Sequence, residues 1–244
     1  MSQEQQLMNP SGRPVSPWRR DLLWTLGALL LLIAWEASGL DLAIVRQWGN
    51  AQGFAWRDAW LTSRLLHEGG RALAWVLFGL MLLSLWRPLV AGPSRGERIA
   101  AIVATVSALI LVPGLKRVTH TSCPWDLNEF GGIASYVPHW QLGLFDGGPG
   151  HCFPSGHAAA GFAFFSLYFL WRRHRPALAK AWLAGVLMLG LVFGWAQMAR
   201  GAHYPSHSLW SAWLCWVAVM IVFQVFERRG RARADGGVPA REQA

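Results

Sequence analysis

Cys152-Phe153-Pro154-Ser155-Gly156-His157 stands between a long polar, Gly-rich loop and the apolar run Ala158 to Trp171. Pro154 ends whatever precedes it, Ser155 is a good N-cap, and Gly156 lets backbone come close to a ligand. A helix begun this way turns free N–H groups and the positive end of its dipole toward one spot, which suits a phosphate. His157 falls in the first turn, where a proton donor to that phosphate is wanted. Taken alone, the stretch reads equally well as a capped helix with an incidental histidine, and the rest of the chain decides.

Working outward, the surroundings are those of a membrane protein. Of 244 residues, 53% are hydrophobic and 14% charged, with sixteen Trp, where a soluble domain carries about 25% charge. Apolar runs of membrane length recur. They predict an all-α polytopic fold with six transmembrane helices over Leu22–Trp35, Arg71–Trp86, Ile99–Leu115, Ala158–Trp171, Ala181–Ala199 and Leu209–Phe226. The first run, behind Arg19-Arg20, also fits a signal peptide loosely, but with further spans following it serves better as an anchor. Asp41–Glu68, with Trp48, Phe54, Trp56 and Trp60, reads as an amphipathic helix lying along the interface. The membrane domain covers residues 21–227. Polar tails, 1–20 and 228–244, are expected to be disordered and cytoplasmic.

The net charge of +9 follows the positive-inside rule rather than a nucleic-acid footprint, because the Lys and Arg flank apolar segments instead of forming a stripe with interleaved aromatics. With six spans, the N-terminal tail, the Arg87–Arg98 turn, the Arg172–Lys180 turn and the C-terminal tail share one side, which is then cytoplasmic. Asp41–Arg71, Lys116–His157 and Arg200–Ser208 share the other. In a bacterial inner membrane that face is periplasmic, and it carries the chemistry.

Three clusters meet there: Lys116 with Arg117, His120, Cys123, Pro124 and Asp126; Pro154 to His157; and Gln197, Arg200, His203, Tyr204, Ser206 and His207. Singly, Lys116 and Arg200 read as snorkelling residues. Together the clusters read as a phosphoryl-transfer site. Lys116 and Arg200 neutralise phosphate oxygens, Arg bidentately. Backbone N–H groups at Ser155 and Gly156 add donors. One histidine attacks phosphorus and another protonates the leaving oxygen, both tasks that suit imidazole near neutral pH. No Asp/Asn-rich cluster suggests a Mg²⁺ cage, so the chemistry reads as metal-free, with no cofactor.

Cys123 and Cys152 lie on that same face, each beside a motif residue. In an oxidising compartment the pair reads as a disulfide, with two free thiols as the alternative. Cys215, mid-span, reads as a packing residue. Trp125, Trp140, Trp210 and Trp213 fit an aromatic belt or a rim for lipid chains.

These motifs resemble the type 2 phosphatidic-acid phosphatase superfamily, which shares a helical core with vanadium haloperoxidases. The family pattern is Lys, six residues, Arg-Pro; then Pro-Ser-Gly-His; then Ser-Arg, five residues, His, three residues, Asp. Here Lys116 precedes Cys123-Pro124 at that spacing, with Cys in place of Arg. Pro154-Ser155-Gly156-His157 matches completely. In the third element His203 matches, while Ala196, Gln197 and His207 stand where Ser, Arg and Asp are expected. The resemblance implies that His203 forms a phosphohistidine, that His157 protonates the leaving group, and that Lys116, Ser155 and Gly156 hold the phosphate.

The departures have physical readings. Arg200, one helical turn beyond Gln197, reaches back in place of the missing Arg. Arg117 helps offset the one lost at Cys123. His207 orients His203 more weakly than a carboxylate, or a loop carboxylate does so instead. Asp126 is favoured for that over Glu129 and Asp146. The expected activity is hydrolysis of a phosphate monoester or diphosphate on a membrane lipid: an isoprenyl diphosphate such as undecaprenyl diphosphate, phosphatidic acid or phosphatidylglycerophosphate, or lipid A. The competing readings are a lipid phosphotransferase and a non-catalytic lipid-phosphate binder or transporter. A vanadate-dependent peroxidase is disfavoured by the spans and the missing motif arginines.

Overall fold

The computed structural model describes residues 17–141 and 143–236. Most of the predicted N-terminal tail and the end of the C-terminal one lie outside those residues. The described chain is mostly helical, in the order α1 (Pro17–Ser38), α2 (Leu40–Val45), a two-stranded hairpin (Gly49–Asn50 with Gly53–Phe54), α3 (Gly70–Leu83), α4 (Arg95–Lys116), α5 (Gly156–Phe162), α6 (Phe165–Trp171), α7 (Pro176–Ala199) and α8 (Pro205–Gly236). α8 thus continues past Glu227, where the sequence predicts a tail.

Five helices among the described residues are long and apolar enough to cross a membrane: Pro17–Ser38, Leu61–Leu83, Arg95–Lys116, Pro176–Ala199 and Pro205–Gly230. Their outward faces carry exposed Leu23, Trp24, Leu31, Trp75, Ile110 and Met188, the surface that lipid would cover.

The predicted fourth span is different. It is divided into α5 and α6, seven residues each, broken at Ala163-Phe164. Residues 156–171 reach only about 24 Å as a helix, short of a bilayer core of about 30 Å. The segment is the buried centre of the bundle: Ala158, Ala159, Phe162, Phe164, Phe165 and Leu170 are all buried. It packs against α4, α7 and α8. Gly161 makes this possible, since a Cβ there would sit 2.9 Å from the backbone of Gly190 on α7.

The stretch 41–68 corrects the expectation of an interfacial helix. α2 and the hairpin occupy its first part. From Leu61 the chain forms a π-helical segment, Leu61–Gly69, that runs straight into α3, so the second span begins ten residues before Arg71. Apolar periodicity alone missed this because Arg64, His67 and Glu68 interrupt it. Phe54, Val45, Leu127, Phe130, Ala134 and Tyr204 form a small second core over the end of the bundle where the motifs lie.

At the opposite end α4 opens with a reciprocal cap. Glu97 N–H donates to Ser94 Oγ at 3.2 Å, and Ser94 N–H donates to Glu97 Oε2 at 2.8 Å, a capping box the sequence carries locally. Half-buried Arg172 pairs there with buried Asp21 of α1 and, at 3.4 Å, with Glu227 of α8.

Candidate active site

His203 is placed by the way α7 ends. Gly201 N–H donates to Met198 O and Ala202 N–H to Gln197 O, at 2.9 and 2.8 Å, a Schellman turn in which Gly201 takes the left-handed conformation at φ 75°. The chain reverses, Pro205 opens α8, and His203 is left buried between the two helices.

One helical turn on, His207 is also buried, and its Nδ1 lies 3.4 Å from His203 Nδ1. Two facing ring nitrogens need one hydrogen between them. With that hydrogen on His203, its Nε2 keeps a lone pair. Burial, then the nearby Lys116 ammonium, then His157 hold the His203 imidazole well below its ordinary protonation range. Lys116, at the end of α4, is close enough to act on both histidines, and its ammonium has no hydrogen-bond partner among the described residues.

His157 sits in the first turn of α5. Its Nε2 is 3.0 Å from Leu66 O. A carbonyl only accepts, so Nε2 carries a hydrogen and Nδ1 is the nitrogen free for a second proton. The ring packs at a tilt between Phe193 and His67, at 4.7 and 4.6 Å between centroids. His67 is a site residue the sequence reading missed. It belongs to the π-helical segment, a geometry that recurs at functional sites.

Arg200 donates from Nε to Arg57 O at 2.8 Å, which ties it to the loop before the π-helical segment. Its charge acts on both His67 and His157. Gln197, at the position of the family Arg, is buried, and its Nε2 has no partner among the described residues. A buried donor left unpaired calls for an explanation.

Other predicted residues are deployed differently. Ser155 caps α5 through its Oγ, which accepts from Ala158 N–H at 3.4 Å. Its own N–H donates to His207 O at 3.2 Å, so it joins the second motif to the third rather than facing a ligand. Beside Gly156 the space is open, with nothing within 4 Å of where a Cβ would be. Arg117 is exposed at the C-cap of α4, and among the described residues no side-chain bond ties it to the cluster.

The loop carboxylates hold the loop itself. Asp126 Oδ2 accepts from Cys123 N–H at 3.2 Å, Asp146 binds Ser122 and Gly148, and Glu129 pairs with exposed Arg46. Among the described residues none of them bonds His203, so His207 is its ring partner.

Two carboxylates unnoticed in the sequence lie just behind. Asp41 of α2 accepts from Ser206 N–H at 2.9 Å and from Ser206 Oγ, which anchors the start of α8. Glu36 of α1 accepts from Trp210 Nε1 at 2.9 Å and lies 3.4 Å from His139 Nε2. His139 stacks on Phe153 and packs edge-on against His207. Burial pushes its imidazole down to about 4. Trp213 likewise donates to Thr25 O, at 3.0 Å. Trp210 and Trp213 therefore tie α8 to α1.

Cys123 and Cys152 are bonded, as expected, with Cα atoms 5.1 Å apart. The bond joins the first motif to the second. Cys152 Sγ lies 3.0 Å from Ala202 O and 3.5 Å from His203 Nδ1. As half of a disulfide it has no hydrogen to donate, so both are packing contacts.

A family model described as the PAP2 superfamily matches residues 98–231. No curated protein and no solved structure matches the chain.

Proposed function

The chain belongs to the PAP2 superfamily, whose members act on phosphate esters, and on that premise we propose that it is a membrane lipid phosphatase working through a phosphohistidine on His203. The observation that carries this reading is the buried pair of His203 and His207, 3.4 Å apart at Nδ1, with Lys116 and His157 acting on it.

The phosphate dianion is held by Lys116, Arg200, the Gly156 N–H and the unpaired Gln197 amide. His203 Nε2 attacks phosphorus as the bond to the leaving oxygen breaks, and that oxygen takes a proton from His157 Nδ1. Leu66 O, accepting from Nε2, fixes the orientation of the ring, and the bound dianion favours its doubly protonated form. His207 accepts the Nδ1 hydrogen of His203 while that ring becomes cationic. In the second step His157 removes a proton from water, the water oxygen bonds phosphorus, and the N–P bond breaks. The products are inorganic phosphate and the dephosphorylated lipid, with both histidines restored. No step calls for a metal or another cofactor.

The lipid substrate class rests on the apolar outer faces of the spans and on the position of the site at their ends. Residues 156–171, counted as a central sixth crossing, put the four basic segments on the cytoplasmic side and the site on the periplasmic side of a bacterial inner membrane. Residues 21–227 then act as one domain, with an isoprenyl diphosphate, phosphatidic acid or phosphatidylglycerophosphate, or lipid A as substrate.

The test is phosphate release from those lipids by the purified chain in detergent, with His203→Ala as control. Wild type should exceed the variant by at least about 10⁴-fold, the scale of losing a covalent nucleophile. Equal release from both would overturn the reading. Lipid mass spectrometry of a deletion strain then names the substrate by what accumulates.

A further inference from the structure

Cys152 Sγ, His203 Nδ1 and His207 Nδ1 converge on one buried point, all within 4.8 Å of one another. The two nitrogens are 3.4 Å apart, and the sulfur is 3.5 Å from His203 Nδ1. A tetrahedral metal with bonds of ~2.3 Å to sulfur and ~2.0–2.1 Å to nitrogen places its ligands about 3.3 Å apart (N to N) and about 3.5 Å apart (S to N). Two of the three edges already have the spacing of a coordination site. Only the edge from Cys152 to His207 has to close.

What prevents coordination is covalent. Cys152 is bonded to Cys123, and a metal needs the thiolate. We propose that reduction of the Cys123–Cys152 bond uncovers a buried Cys-His-His site for a Zn²⁺-class cation, and that its occupation silences His203. The binding site stands independently of the phosphatase reading; the silencing rests on it.

The steps balance as follows. A dithiol reductant supplies two electrons and two protons, the S–S bond becomes two thiols, and the reductant closes to its own disulfide. The cation displaces the Cys152 thiol proton to solvent and takes the lone pairs of both Nδ1 atoms. The hydrogen of His203 Nδ1 reappears on Nε2, giving the other neutral tautomer. Nε2 then carries N–H in place of its lone pair and cannot attack phosphorus. Lys116 is the positive charge that opposes a dication here, and the new thiolate offsets it. Three protein ligands leave the fourth position to water or an anion. Cys152 keeps its place without the bond, because it is fully buried and its N–H donates to Thr121 O at 2.8 Å.

Co²⁺, added to the full chain in detergent micelles, is the probe. Cys123→Ser leaves Cys152 as a thiol without any reductant, and it should bind one Co²⁺ per chain with a sulfur-to-cobalt charge-transfer band that Zn²⁺ abolishes. Cys152→Ser breaks the same disulfide and should show no band. Oxidised wild type should show none and gain it on dithiol treatment, which keeps the test decisive if a serine variant does not fold. His203→Ala should abolish the band in the reduced chain. Identical spectra for the two cysteine variants, or no band in both Cys123→Ser and reduced wild type, would overturn the site. Zn²⁺ should lower phosphate release by Cys123→Ser at least tenfold, reversibly with chelator, and have no effect on Cys152→Ser. Co²⁺ binding with undiminished release would remove the silencing and leave the site. The phosphatase reading itself is judged on oxidised, metal-free wild type.

Discussion

The two ends of the bundle bury polar groups in opposite ways. At the basic end, Arg172, Asp21 and Glu227 satisfy one another, and Glu97 and Ser94 close a reciprocal cap. At the motif end buried Asp41 and Asp146 are satisfied too, but the cluster itself sets a buried pair of histidines beside a buried Gln197 amide and a half-buried Lys116 ammonium that have no hydrogen-bond partner among the described residues. A buried charge without a partner costs several kcal/mol, so an end built only for stability would resemble the first. The second end leaves these donors open, which is what the proposed phosphate site requires. The difference separates structural from functional polarity without reference to any motif.

The largest expected effect is on turnover at the motif end. His207→Ala should lower kcat by about 10²–10⁴-fold, the range for losing an orienting or proton-handling group, with little change in KM. His207→Asp should recover most of the loss, because a carboxylate accepts the same hydrogen and stabilises the cationic ring. Equal kcat in the wild type and His207→Ala would remove His207 from the mechanism.

At the opposite end the same kind of change should act on stability alone. Arg172→Met strands buried Asp21 and should cost about 3–5 kcal/mol of unfolding free energy, while the folded fraction keeps full specific activity. Adding Asp21→Asn should recover most of it. If Arg172→Met instead left the midpoint of thermal unfolding unmoved, the contrast between the ends would collapse.

A smaller effect tests the buried neutral histidines. Folded His139 stays neutral down to about pH 4, whereas the unfolded chain protonates it near 6.5. Between those values the unfolded state binds more protons, so stability is full above pH 6.5 and falls as pH drops through the window. His203 adds to the slope in the same direction. The slope is at most about 1.4 kcal/mol per pH unit for each histidine. His139→Phe should flatten it, and an unchanged slope would place the titration elsewhere.

The smallest effect has opposite signs for two measurements. Gln197→Leu removes an unsatisfied buried donor and should raise stability by about 1 kcal/mol. If that amide holds phosphate, kcat/KM should fall about tenfold at the same time. A rise in stability with unchanged kcat/KM would make Gln197 a packing residue.

Much of this was legible in the chain. Apolar runs located α1, α4, α7 and α8, because a lipid-facing helix needs a continuous apolar length. The spacing of Lys116, His157 and His203 marked the site, and the bonded pair of Cys123 and Cys152 was readable from their shared side and their neighbours. The second span was misplaced because Arg64, His67 and Glu68 at its start break the periodicity that signals lipid contact; His67 packs on His157, while Arg64 and Glu68 pair with each other. The loop carboxylates were misassigned because nothing local distinguishes a carboxylate that caps a turn from one that orients a histidine.

The sequence by itself determined that this is a helical membrane protein with a cluster of cations and imidazoles at one end, since hydropathy and motif spacing are properties of short stretches. Only the tertiary structure decided which group faces which: His207 against His203, the Ser155 N–H spent on His207 O, His67 beside His157, and Cys152 beside His203. These partners come from helices that are distant along the chain, and the pairing is set by how the helices pack around the buried segment from Gly156 to Trp171.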